Sequence, residues 1–82
     1  MERVWEFSGF RFEAGPDPAD GRRLRVLAFR DGEPFCDLHG EQFAKGFAPG
    51  ASPERVEAFC RRFAEDSAYR TQLLVKHAFA CC

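Results

Sequence analysis

Apolar residues recur with the period of a strand in the first third of the chain and with the period of a helix in the last third. Residues 3–13 place Trp5 and Phe7 on one parity and Phe10 and Phe12 on the other. Side chains alternate across a strand, so this slip beside Gly9 predicts one bulged strand that returns both aromatic pairs to the same face. Residues 14–21 hold Gly15, Pro16, Asp17, Pro18, Asp20 and Gly21, the composition of an exposed loop. Residues 22–30 predict a second strand and Asp31-Gly32 a hairpin turn. A third strand is expected over residues 33–38. It begins near Pro34, because proline has no N–H for a ladder, and this leaves the first or second strand as the more open edge.

Past His39-Gly40 the period lengthens. Phe43, Ala44 and Phe47 predict a short helix or turn over 41–47, ended by Pro49-Gly50. Ser52-Pro53-Glu54 combines a capping hydroxyl, a proline at the first helical position and an acid near the positive end of the dipole. Val56, Phe59, Cys60 and Phe63 then form a core stripe, while Arg55, Glu57, Arg61, Arg62 and Glu65 cover a solvated side. Asp66-Ser67 caps a further helix over 68–79 bearing Leu73, Leu74, His77 and Phe79, although one unbroken helix from 53 to 79 fits the same pattern. The expected fold is α+β: a three-stranded antiparallel sheet followed by two or three helices packed on one face.

With 82 residues the chain makes one small domain, and ten phenylalanines supply the apolar bulk that a disordered chain lacks. No apolar run reaches the roughly 18 residues that span a bilayer, and residues 1–6 lack the layout of a signal peptide. Cys36, Cys60, Cys81 and Cys82 include no C-x-x-C, which reads as reduced thiols and predicts a cytoplasmic protein. The adjacent Cys81-Cys82 resembles a prenylated terminus, but the phosphate-binding loop of the small GTPases that carry one is missing, so a frayed end is expected.

Two sets of residues offer chemistry. Cys36 and His39 form C-x-x-H, and His77 and Cys81 form H-x-x-x-C; together they supply the four nitrogen and sulfur ligands that zinc takes in a tetrahedron. No other cofactor is expected. Residues 21–30 hold Arg22, Arg23, Arg25 and Arg30 with no acid among them, and Arg61 and Arg62 add to the basic charge. Such residues suit phosphate, but acidic stretches flank the second strand and the net charge is -1, so a protein partner fits better than nucleic acid. No catalytic constellation emerges. Residues three apart on a strand, such as Cys36 and His39, face opposite sides, and one small core leaves little room for a substrate pocket.

Residues 36–47, Cys-Asp-Leu-His-Gly-Glu-Gln-Phe-Ala-Lys-Gly-Phe, are similar to the centre of a family of short uncharacterised bacterial proteins with the pattern C-x-[IL]-x-G-E-x-[LF]-A-x-x-F. The resemblance implies an antiparallel sheet backed by helices and no established activity. The leading expectation is a non-enzymatic protein-interaction or regulatory module, of the kind exemplified by phage inhibitors, binding through its arginines or a sheet edge. A zinc-binding module is second and nucleic-acid binding third; a homodimer is compatible with each, and no membrane is involved.

Overall fold

A computed structural model describes residues 2–80. It is an α+β fold in which one antiparallel sheet carries two helices. The first hairpin joins β1 (Arg3–Phe7) to β2 (Phe10–Pro16) through Ser8 and Gly9. Both turn residues have positive φ, 50° and 84°, the conformation whose twist matches that of the flanking strands. The expected bulge is therefore a two-residue turn. Its effect on the aromatics is the one a bulge would have, because Phe7 faces Phe10 and Trp5 faces Phe12 across the hairpin, which puts all four rings on one side.

β2 runs on through Gly15 and Pro16, which pair with Arg25 and Leu24, so the predicted loop begins only at Asp17. β3 (Leu24–Arg30) lies between β2 on one side and two short strands on the other. It is central, not an edge. β4 (Glu33–Pro34) covers only Phe29 and Arg30, and β5 (Ala44–Phe47) covers Leu24 through Leu27. The predicted third strand is thus cut to two residues, followed by an isolated bridge from Cys36 to Gln42.

Where a helix or turn is expected over 41–47, residues 44–47 form the strand β5. Phe43 and Phe47 are four apart, a spacing that satisfies a period of 2 as well as 3.6, and β3 offers unpaired main-chain groups that a helix would leave bare. Three hydrogen bonds fix the entry: Phe35 N donates to Ala28 O, Ala28 N to Phe43 O and Phe43 N to Phe35 O. Among the described residues the sheet consequently has five strands, and the helices number two.

α1 (Pro53–Glu65) starts where the sequence places it, with the Ser52 hydroxyl accepting from Arg55 N at 3.2 Å. α2 (Ser67–Ala80) is a separate helix. Asp66 turns the chain in an extended conformation and caps α2 by accepting from Tyr69 N at 2.9 Å, while Arg70 Nη1 takes the freed carbonyls of Phe63 and Ala64 at the end of α1. No helix among the described residues is long and apolar enough to cross a membrane.

The core lies between α1 and the sheet. Phe63 is fully buried and its ring meets those of Phe10, Phe12, Phe35, Phe43 and Phe59 at centroid separations of 4.9 to 5.8 Å. Val56 and Cys60 complete the buried stripe, and burial pushes the Cys60 thiol up to about 12. Phe59 reaches the core edge, packed on Phe47 and Phe63 but half-exposed. On α2, Leu73 and Leu74 are partly buried, whereas Phe79, expected in the same apolar face, is 75% exposed.

Candidate interaction surface

Strand alternation sorts the sheet residues into two faces. Trp5, Phe10, Phe12, Ala14, Leu24, Val26, Ala28 and Phe47 point toward the helices and are buried. Arg11, Glu13, Arg25, Leu27 and Phe29 occupy the alternate positions and therefore the face away from α1. Register places these residues in rows. Val4, Glu13, Leu27 and Ala44 lie side by side, next to a row of Glu6, Arg11, Phe29 and Pro34. Leu27 and Phe29 are half-buried in the middle of this uncovered face, and Val4 at its margin is 54% exposed.

The third row is Gly15, Arg25 and Gly46. Glycine on both neighbouring strands leaves Arg25 with no side chain directly across from it on either strand. Arg23, just before β3, reaches the same face: its Nη2 lies 3.6 Å from where a Cβ on Gly46 would stand. Among the described residues, neither guanidinium has a carboxylate within ion-pair distance, whereas Arg11 is held by Glu13 at 2.8 Å and Arg22 by Asp20 at 3.3 Å. Hydrogen bonding to Arg22 in turn holds the Asp20 carboxyl below its ordinary value.

The six arginines singled out in the sequence do not form one patch. Arg22, Arg23 and Arg25 gather at one end of the sheet. Arg30 and Arg61 instead lie over rings on the helix side, Arg30 4.8 Å from Phe10 and Arg61 4.5 Å from Phe7, while Arg62 stacks 3.9 Å from Tyr69. Arg70, which also lies over Phe10 at 5.0 Å, completes a rim of cations around the core. Each such contact contributes roughly 0.5–1 kcal/mol at an exposed site, a packing role for cations expected on a free surface.

His39 and His77, from the two sequence pairs, line one depression of about 280 Å³ together with Asp37 and Glu41. Cys36 is not among its lining residues; it is exposed, with Sγ 3.9 Å from Pro34 O, and Cys81 falls outside the described residues. Asp37, between the two residues of the C-x-x-H pair, organises this corner. Its Oδ1 accepts from His39 N at 2.8 Å and Glu41 N at 3.1 Å, and its Oδ2 lies 3.3 Å from His77 Nε2. The carboxylate side chain is only 4% exposed. Burial works against its charge, but the two amides and His77 prevail and hold the carboxyl below its ordinary value. The signal for this role was the Asp-x-x-Gly run from Asp37 to Gly40, in which an aspartate bonds to amides two or more residues on. His39 Nε2 also lies 3.3 Å from Ala78 O, so the corner ties the 36–42 segment to α2. Among the described residues no group of three or more His, Cys, Asp and Glu is arranged to hold a metal ion.

Comparisons with protein-family models, with curated proteins and with solved structures return no match.

Proposed function

We propose that the protein is a non-enzymatic interaction module that docks an acidic segment of another protein on the uncovered face of its sheet. The observation that carries this reading is the pairing of half-buried Leu27 and Phe29 with Arg23 and Arg25, two guanidiniums with no carboxylate within ion-pair distance among the described residues. The two apolar side chains supply area to remove from water; the arginines select the charge of what covers it. Arginine also suits protein interfaces because its planar fork meets a carboxylate with two bonds. A protein segment is favoured over nucleic acid because Leu27 and Phe29 stand in the middle of the face, and Glu6 and Glu13 stand on the same face and would repel a phosphate backbone.

Selection of a displayed random-peptide library on the protein, with counter-selection on the R23E/R25E variant, tests the reading. Enrichment of sequences in which Asp or Glu flank aliphatic or aromatic residues supports it. Peptides that bind the variant equally well, or preference for a nucleic acid over any peptide, contradict it. Zinc binding is the lesser reading, favoured only by the meeting of His39 and His77 beside Asp37, and elemental analysis of the purified protein decides it.

A further inference from the structure

We propose that the outer edge of β1 pairs antiparallel with β1 of a second copy of this chain, joining two sheets across a two-fold axis at Trp5. β1 ends the strand order, and β2 occupies only one of its sides. The Ser8-Gly9 turn makes Phe7 and Phe10 a hydrogen-bonded pair, and the bonding alternates from there. Arg3, Trp5 and Phe7 thus spend their main-chain groups on β2, while those of Val4 and Glu6 point outward. Among the described residues no hydrogen bond from another element reaches them.

Charge selects both the partner and the register. A two-fold axis normal to the sheet passes through a residue, because facing residues must share a face. Centring it on Val4 sets Glu2 against Glu6 of the second copy, and centring it on Glu6 sets two glutamates directly opposite each other. Centring it on Trp5 places Val4 opposite Glu6 and Arg3 opposite Phe7, whose ring also carries Arg61, and leaves no two residues of like charge opposite each other along the two strands. The outward groups of Val4 and Glu6 then bond to one another in two symmetric pairs. Arg3 already stacks over its own Trp5 ring at 5.6 Å, so a cation beside an aromatic edge is native to this strand.

Pairing of this kind closes on itself, since each chain spends its one β1 edge, and it stops at two copies. The contact is small, so the dimer is weak and depends on concentration. The axis leaves the uncovered faces of both sheets on the same side, but the pairing does not rest on the docking reading and is measured without any ligand.

Sedimentation velocity of the full chain with reductant present, from low micromolar to millimolar concentration, is the test. The expected mass rises from one chain toward two, and the amides of Val4 and Glu6 exchange more slowly as concentration increases. V4P, which removes an outward N–H while sparing the β1–β2 bonds, stays a single chain. V4K sets a lysine opposite Glu6 twice per dimer and tightens the association by about 2- to 30-fold. A single chain at every concentration overturns the proposal, as does a dimer that V4P leaves intact. Should V4P fail to fold, V4K decides: an association that it does not tighten overturns the register.

Discussion

The indole Nε1–H of Trp5 donates to Glu57 Oε1 at 3.1 Å, linking the edge strand to a helix 52 residues further along the chain. Trp5 is only 7% exposed, so this bond satisfies a donor on a buried residue. Removing the acceptor with Glu57→Ala is expected to cost about 1–3 kcal/mol. Trp5 is the only tryptophan, so its emission reports the change directly. The expected result is a lower urea midpoint together with an altered emission maximum in the folded protein; an unchanged spectrum would mean that the bond is not made in solution.

Phe63 carries more of the core than any other ring, since five aromatic partners surround it. Phe63→Ala is expected to remove about 3–5 kcal/mol, against a total stability of roughly 4–12 kcal/mol for a domain of this length. Phe59→Ala should cost less, because Phe59 is half-exposed. Thermal unfolding of both variants checks the order; a larger loss for Phe59→Ala would place the centre of the core elsewhere.

Asp37 makes stability depend on pH on the acid side. Its carboxyl is held below the ordinary value of 3.8 in the folded protein, so the unfolded chain binds the proton first as pH falls. The stability contributed by the charged form is therefore complete above that ordinary value and is lost as pH drops through the folded one. Urea unfolding of the native protein and of Asp37→Asn should differ at neutral pH and converge in strong acid. A difference that persists unchanged after Asp37 is protonated would show that the charge plays no part.

Some of this architecture is legible in the residues and some is not, for physical reasons. Ser52-Pro53-Glu54 announces α1 because capping is local chemistry, and it appears where expected. The Ser8-Gly9 slip reports that four rings share a face but does not distinguish a bulge from a turn, since both devices restore the phase. Phe43 and Phe47 fit two periods, and only the vacant edge of β3, a long-range feature, decides between them. The arginines show their charge in the sequence but not their faces. Arg61 and Arg30 are drawn to Phe7 and Phe10 by tertiary packing, while Arg23 and Arg25 remain on the uncovered side because Gly46 leaves space there. His39 and His77 lie at one corner with Asp37, which accepts from the main chain of its own loop and meets His77 of α2, a long-range contact that spacing along the chain does not show.

The central claim, that the uncovered sheet face docks an acidic segment, is tested most directly by following backbone amide shifts while a synthetic peptide alternating Glu with Leu and Phe is added. The expected shifts fall at Arg25, Leu27, Phe29 and Ala44, weaken as salt is raised and vanish in R23E/R25E, with the fold intact because exposed charges contribute little to stability. Shifts confined to α1 around Arg61 and Arg62, or an affinity that the double reversal leaves untouched, would contradict it.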